Sequence, residues 1–187
     1  MRFELDKQLC EKYPKIFAGR HGKPTETLMC FGFEHGDGWY NIIDALCFNI
    51  QRHVDSSRKR RASALRMNRK IKKAIQMNSI EPIANVYQGS WWQEKCEKIL
   101  QNKEYEKVPE KVHQVVAVQV KEKFGGLRFY TNYSDNVVNA LISMAESMSY
   151  RTCEVCGTPG KSRHGGWIRT LCDEHAEGRD YFNDGEN

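Results

Sequence analysis

Four metal-ligating side chains near the C-terminal end constrain the fold of this chain more than any other feature. They occur as a Cys-x-x-Cys pair, Cys153 and Cys156, and a Cys-x-x-His pair, Cys172 and His175, with fifteen residues between the pairs. Each pair can direct two ligands at one point, and Gly157 permits a tight turn after the first pair. Three thiolates and one imidazole fill a tetrahedral zinc shell and leave no position for water. We therefore expect one structural zinc ion; the alternative is four side chains that are adjacent by chance.

The sequence around these ligands predicts a zinc module over residues 151–187. A cysteine knuckle, a short hairpin through GGWIRTL and a Cys-x-x-His at the start of a helix follow the order of a treble-clef or zinc-ribbon module. Asp173 and Glu174 suit the first turn of that helix. His164 resembles the histidine of HNH-type nucleases, but no second His or Asn is placed to hold a catalytic ion. A metal-dependent nuclease is therefore the least favoured function, and we expect a non-enzymatic protein.

Composition and cysteine usage predict a cytoplasmic protein. No apolar run approaches the roughly 20 residues that a transmembrane helix needs. The N-terminal sequence MRFELDKQLCEKYP has charged residues where a signal peptide would need an apolar stretch. The other cysteines, Cys10, Cys30, Cys47 and Cys96, stand singly, which fits a reducing compartment better than a disulfide framework. We expect these four to be reduced and mostly buried.

The excess positive charge lies in one segment. Between residues 52 and 73 there are ten Lys or Arg residues and one acid, whereas the rest of the chain has 19 bases and 23 acids. Any attraction to phosphate should therefore be local. The partner is expected to be nucleic acid, with an acidic protein as the alternative, and a merely solvated segment is the simplest reading. The candidate polyanion-binding residues are Arg58, Lys59, Arg60, Arg61, Arg66, Arg69, Lys70, Lys72 and Lys73.

Hydrophobic periodicity predicts the elements of the N-terminal half. Residues 1–35 read as irregular, with a short buried strand at 27–33. The GDGW motif at 36–39 is the turn that opens an amphipathic helix. The basic segment either extends this helix or forms a second one. A further helix is predicted at 91–100 from its composition.

The spacing of apolar residues changes from a helical to a strand-like pattern in the second half of the chain. Residues 112–132 predict a β-hairpin that turns at Gly125-Gly126, because β-branched residues flank the two glycines. Ser134 or Asp135 then caps an amphipathic helix. The whole pattern predicts an α+β fold, in which amphipathic helices pack on a small antiparallel sheet.

Three motifs in this order resemble a widespread family of small, functionally uncharacterised proteins encoded by tailed bacteriophages and by bacterial genomes that carry prophages. The motifs are GDGW, QVKEKFGGLRFY, and the C-terminal CEVCG, GGW and LCDEH. The matching blocks cover residues 30–50 and 112–176. The resemblance implies a phage accessory protein that acts in the host cytoplasm, and it implies no activity. Residues 52–110 lie between the blocks and are predicted to be a variable insertion in a core domain over residues 1–150.

A second candidate site lies on the predicted hairpin. KFGGLRFY is similar to the basic-glycine-aromatic signature of RNA-recognition sheets, although the rest of that βαββαβ pattern is missing. Polar residues of the hairpin, together with two from GDGW, could line a pocket for a nucleotide or phosphorylated ligand. The alternative is surface lysines beside core aromatics. The residues of this candidate pocket are Asp37, Trp39, Lys121, Lys123, Arg128 and Tyr130.

The adjacent tryptophans Trp91 and Trp92 cannot both face one core from a single helix. One of them should be partly exposed or lie at an interface, for instance between protomers of a homo-oligomer. The leading hypothesis is thus a zinc-stabilised phage-type protein that binds nucleic acid through the basic segment. The alternative is a counter-defence protein that sequesters a host nucleotide signal or blocks a host defence protein.

Overall fold

The computed structural model describes residues 1–87, 89–164 and 166–176, which belong to two compact units. The first unit combines Met1–Val54 with the chain from His113 onward, and the second unit is Asp55–Val112. The four predicted metal ligands therefore lie in the same unit as the hairpin. Most of the basic segment lies in the second unit.

The described residues form a mixture of helices and small sheets, which confirms the predicted α+β class. The helices are α1 (Phe3–Lys12), α2 (Tyr40–Met77), α3 (Glu81–Ala84), α4 (Ser90–Asn102) and α5 (Asn136–Ser149). The strands are β1 (Phe33–Glu34), β2 (Ala117–Lys123), β3 (Gly126–Thr131), β4 (Lys161–Arg163) and β5 (Arg169–Leu171). In the larger sheet β1 runs parallel to β2, and β2 runs antiparallel to β3; β4 and β5 form a separate antiparallel pair.

The predicted hairpin is present, but its first strand begins later than expected. Strand β2 starts at Ala117, whose N–H donates to the carbonyl of Ile16 at 2.8 Å. The N–H of Val116 bonds the Asn132 side chain at 2.8 Å, because β3 has already ended at Thr131. The carbonyl of Val116 also accepts the backbone N–H of Asn132 at 2.9 Å, so hydrogen bonding continues one residue before β2 begins. Strand propensity alone does not make residues 112–116 part of the strand.

The alternation on the hairpin places its apolar residues on one face. Val120, Leu127 and Phe129 are buried, whereas Tyr130 is exposed and Arg128 is partly exposed. Asp135 caps α5, since its carboxylate accepts the N–H of Val138 at 2.9 Å.

The expectation of an irregular N-terminal segment is wrong for residues 3–12, which form α1. Its only buried apolar residue is Leu9, so the sequence shows no apolar stripe. Tertiary contacts hold this helix instead: the half-buried guanidinium of Arg20 donates to the Asp6 carboxylate at 2.9 Å. The predicted strand at 27–33 is also wrong for residues 28–31, which form a 3₁₀ helix capped by Thr27.

The GDGW motif opens α2 as predicted, with a 3₁₀ turn at Asp37–Trp39. The basic segment extends this helix, which is 38 residues long. In the first unit its apolar stripe is buried at Ile42, Ile43, Leu46, Cys47, Ile50 and Val54. None of the helices in the described part of the chain is both long enough and apolar enough to cross a membrane.

The second unit has its own small core between α2, α3 and α4. The core residues are Met67, Ile71, Ala74, Ile83, Trp92, Cys96 and Ile99. Trp92 is buried and donates its indole N–H to the Ile83 carbonyl at 2.9 Å, whereas Trp91 is 57% exposed. The prediction that the adjacent tryptophans differ in exposure is therefore confirmed.

His35 is a buried imidazole with only one of its ring nitrogens hydrogen-bonded. Nδ1 donates to the Gly36 carbonyl at 2.7 Å, and Nε2 has no hydrogen-bond partner among the described residues. The ring packs against Phe33 and Trp39. Burial lowers the pKa of His35 to about 4, because the charged form would lose its hydration.

Replacing His35 with Gln should remove an acid-sensitive part of the stability. The unfolded chain binds a proton near the ordinary histidine pKa of about 6.5, but folded His35 stays neutral until about pH 4. The free energy of unfolding therefore falls as the pH decreases through this window. Between pH 7 and pH 4.5, urea denaturation should show the wild type losing about 2–3 kcal/mol more than His35→Gln. If the wild type and His35→Gln lost the same free energy of unfolding, the lowered pKa of His35 would be contradicted.

Candidate metal centre

The four predicted ligands form one cluster. The donor atoms of Cys153, Cys156, Cys172 and His175 all lie within 4.8 Å of one another. The Sγ atoms of Cys156 and Cys172 are 3.7 Å apart, and Nδ1 of His175 is 3.8 Å from Sγ of Cys153. In a tetrahedral site with metal–sulfur bonds of about 2.3 Å, two sulfurs are separated by about 3.8 Å. The cluster is therefore compatible with a single metal ion.

Local backbone hydrogen bonds position each pair of ligands. The N–H of Gly157 donates to the carbonyl of Cys153 at 2.9 Å, and the φ of +80° at Gly157 closes the knuckle. Cys172 follows directly after β5, and the N–H of His175 donates to its carbonyl at 3.2 Å. Asp173–His175 form a turn. The helix predicted after His175 falls mainly on residues 177–187, which lie outside the described residues.

The environment of two of the three cluster thiols favours the thiolate, whereas burial raises the pKa of the third, Cys153. Burial by itself would raise the pKa of Cys172, but hydrogen bonds from His175 and Thr158 lower it to about 6. A hydrogen bond with Thr158 also lowers the pKa of Cys156. Since the thiolate is the form that binds metal, these two sulfurs are prepared for ligation near neutral pH.

The GDGW motif lies directly against the cysteine knuckle. The N–H of Gly38 donates to the carbonyl of Glu154 at 2.8 Å, and the indole N–H of Trp39 donates to the carbonyl of Thr152 at 2.9 Å. A Cβ added to Gly38 would lie 2.1 Å from the carbonyl oxygen of Cys153. A Cβ on Gly36 would lie 2.3 Å from the carbonyl oxygen of Glu154. Both glycines are therefore required because two backbones approach closely.

Glu154, within the first ligand pair, connects three parts of the first unit. Its carboxylate is buried, accepts the N–H of Gly36 at 3.0 Å and accepts Nε of Arg169 at 3.1 Å. Its own N–H donates to the carbonyl of Thr170 at 2.9 Å. The buried charge is thus paired and hydrogen-bonded, and it joins the knuckle to GDGW and to β5.

The hairpin turn contacts the same module. The hydroxyl of Thr170 donates to the Gly125 carbonyl at 2.6 Å, and the indole N–H of Trp167 donates to Glu122 at 2.8 Å. All three sequence motifs therefore meet around the metal cluster. Sequence reasoning missed this contact; the available signal was the pair of glycines in GDGW, which a helix start alone does not need.

The candidate ligand pocket on the hairpin is only partly assembled. Trp39 is fully buried and belongs to the core, and Asp37 is engaged by the backbone N–H of Arg2 at 2.7 Å. Lys121 and Arg128 are partners across the strands, and Nζ of Lys121 lies 5.9 Å from the centre of the Tyr130 ring. Nζ of Lys123 lies 5.3 Å from the centre of the Phe124 ring at the turn.

Arg128 is bonded within the fold, since its guanidinium donates to the hydroxyl of Tyr150 at 2.6 Å. His164 is exposed directly after β4 and is not one of the four clustered ligands.

The basic segment separates into two groups. Arg58 donates to the Val112 carbonyl at 3.3 Å, Arg60 donates to Ser57 at 3.2 Å, and Arg61 donates to the Pro109 carbonyl. Arg58 and Arg61 thus connect α2 to residues 109–112, at the end of the second unit. The second group is exposed and, within the described ranges, makes no hydrogen bond or ion pair. Its members are Lys59, Arg66, Arg69, Lys70, Lys72 and Lys73.

No family model, curated protein or solved structure matches this chain.

Replacing Gly38 with Ala should destabilise the first unit and disturb the metal cluster. The added Cβ would overlap the backbone of Cys153 and Gly157, at 2.1 and 2.5 Å, and neither backbone can rotate away. We expect a loss of about 3 kcal/mol or more in thermal or urea unfolding, because a clash with buried backbone forces two elements apart.

The control is Gly166→Asn. A Cβ at Gly166 would meet nothing within 4 Å, and its φ of +82° is one that Asn tolerates. This variant should change the stability by less than about 1 kcal/mol. Equal effects of the two substitutions would show that the close approach at Gly38 is unimportant.

Proposed function

We propose that the cluster holds one structural zinc ion in a treble-clef or zinc-ribbon module, and that the protein binds nucleic acid through the exposed cations of α2. Nucleic-acid binding is supported by the group of six exposed lysines and arginines, which make no hydrogen bond or ion pair within the described ranges. The resemblance of the three motifs to the phage family supports an accessory role in a host cell, and the proposal includes that role.

Zinc suits the donor set. Three sulfurs and one imidazole nitrogen are the ligands of structural zinc sites, and soft thiolates disfavour magnesium and calcium. The protein supplies all four positions of a tetrahedron, so no position would be left for water or substrate. The ion would therefore stabilise the knuckle against which Gly38 and Trp39 pack, and it would not act in catalysis.

Replacing Cys172 with Ser should remove the ion and unfold much of the first unit. Native mass spectrometry should find one zinc per wild-type chain and none in the variant. The melting temperature should fall by about 10 °C or more, because metal affinity contributes directly to folding free energy. Cys30→Ser is the control, since Cys30 lies outside the cluster and its thiol donates to the Thr27 carbonyl at 3.2 Å, a bond that a serine hydroxyl can also make. Substoichiometric zinc in the wild type, or an unchanged melting temperature, would contradict the proposal.

The exposed cations form a continuous face of the helix. Four of the cations follow one another at helical spacings of seven, four and three positions, so they lie along one side of α2 over about 21 Å. They are Lys59, Arg66, Lys70 and Lys73. The adjacent side carries the core residues Met67, Ile71 and Ala74. We call these four residues the basic face.

The basic face suits a phosphate backbone better than a small anion. Its charges are spread along a line, as phosphates are in a nucleic acid strand. Each contact that neutralises a phosphate releases counterions, so binding should weaken as salt increases. Arg58 and Arg61 contribute less, because their guanidinium groups already bond carbonyls of the second unit.

Reversing three charges of the basic face, with Arg66→Glu, Lys70→Glu and Lys73→Glu together, should weaken binding of both duplex and single-stranded oligonucleotides. Fluorescence anisotropy at several salt concentrations should show a slope of log affinity against log salt that is shallower by about 2 to 3. The control is Lys23→Glu, Lys107→Glu and Lys111→Glu, which changes the net charge equally at exposed positions elsewhere. If both triple variants weaken binding equally, net charge and not the basic face is responsible.

A further inference from the structure

The second unit contains a cavity of about 350 Å³ beside the basic face. Three aromatic side chains line it, Tyr87, Trp91 and Trp92, together with the cationic side chains of Arg60 and Lys95. Its volume is at the lower end of the range for small-ligand sites in proteins. Three aromatic rings beside two cations suit a flat ring that carries negative charge nearby.

The three aromatic rings have different roles in this cavity. Trp92 is buried, with its indole N–H bonded to the Ile83 carbonyl, so it is fixed. Trp91 and Tyr87 are 57% and 51% exposed, and their ring centres are 6.0 Å apart at an angle of 36°. Tyr87 also packs edge-on against Trp92 at 4.8 Å. The fixed ring thus supports two rings that expose surface for stacking.

Two cations and one acid line the cavity, and the acid is paired with one of the cations. Arg60 uses one nitrogen to bond Ser57, which leaves further N–H groups of its guanidinium. Lys95 lies over the Trp92 ring at 5.5 Å and pairs with Glu106 at 3.0 Å. Glu106, the acid in the lining, is therefore neutralised by this lysine.

The cavity and the basic face share one edge of α2. Ser63 lines the cavity. Lys59 is four residues before Ser63 in the chain, Arg66 is three residues after it, and Lys70 is seven residues after it. At these helical spacings their side chains are neighbours of Ser63 along the same side. A chain of phosphates on the basic face would therefore pass beside the cavity.

We propose that this cavity receives an unpaired nucleobase from a single-stranded nucleic acid whose phosphates lie on the basic face, an inference that rests on the proposed function. Stacking on Trp91 and Tyr87 would bind any base, because every base has a π face. A base inside a duplex is already stacked and cannot enter. A protein partner is less well supported, since such interfaces are depleted of lysine at their core whereas cations border this cavity.

The test compares single strands with duplexes. Trp91→Ala should weaken binding of a mixed-sequence single-stranded oligonucleotide of roughly twelve nucleotides by about 10- to 100-fold, and should change duplex binding less than about twofold. Trp91→Phe should retain most of the affinity because it keeps a stacking ring. Single strands should also quench tryptophan fluorescence in the wild type, and less so in Trp91→Phe. The control is Trp167→Phe, which removes another exposed tryptophan, in the first unit.

Several outcomes would overturn the inference. In one outcome, Trp91→Ala binds single strands as the wild type does, while the reversal of Arg66, Lys70 and Lys73 still abolishes binding. That result would show that the cavity does not contact the nucleic acid, and it would leave the proposed function intact. If the wild type bound neither single strands nor duplexes, both the proposed function and the role of the cavity would be contradicted. Saturable quenching by free nucleoside monophosphates that survives the charge reversal would indicate a free nucleotide as ligand. A smaller sedimenting mass for Trp91→Ala, with unchanged nucleic-acid binding, would indicate a homo-oligomer interface.

Discussion

The close approach of two backbones, GDGW and the cysteine knuckle, is the constraint on which the first unit depends. The N–H of Gly38 reaches the carbonyl of Glu154 at 2.8 Å, and at this separation there is no space for a side chain at Gly38. The start of α2 and the positions of two metal ligands are therefore set by one contact. Forces that order the knuckle, including any metal bound there, also order the beginning of the longest helix.

The same principle explains why the three sequence motifs occur together. The carbonyl of Gly125 accepts the hydroxyl of Thr170 in β5, and Gly126 lies so close to Tyr150 that a Cβ would meet its ring at 2.4 Å. Glu154 receives donors from GDGW and from β5 at once. The motifs thus describe how a metal module packs on a hairpin and a helix start. Residues that resembled a ligand pocket, above all Trp39, serve this packing.

The second unit uses its positive charge in two ways. Arg58 and Arg61 bond carbonyls of the returning chain, where a guanidinium satisfies backbone acceptors that would otherwise need water. The basic face lies on a side of α2 next to the side that carries the core residues, and it is bordered by the cavity that Tyr87 and the α4 residues Trp91 and Trp92 line.

The sequence by itself determined which four Cys and His side chains cluster, the start of α2, the hairpin turn and the cap of α5, because each is encoded by local spacing or by a residue with a special backbone role. It also determined that one of two adjacent tryptophans had to be exposed. Only the tertiary structure decided that residues 3–12 form a helix, since that helix depends on Arg20 and not on its own apolar pattern. It alone decided where β2 begins, which arginines are engaged by carbonyls, and that GDGW packs on the knuckle. These features depend on contacts between residues far apart in the chain, and local propensity contains no information about such contacts.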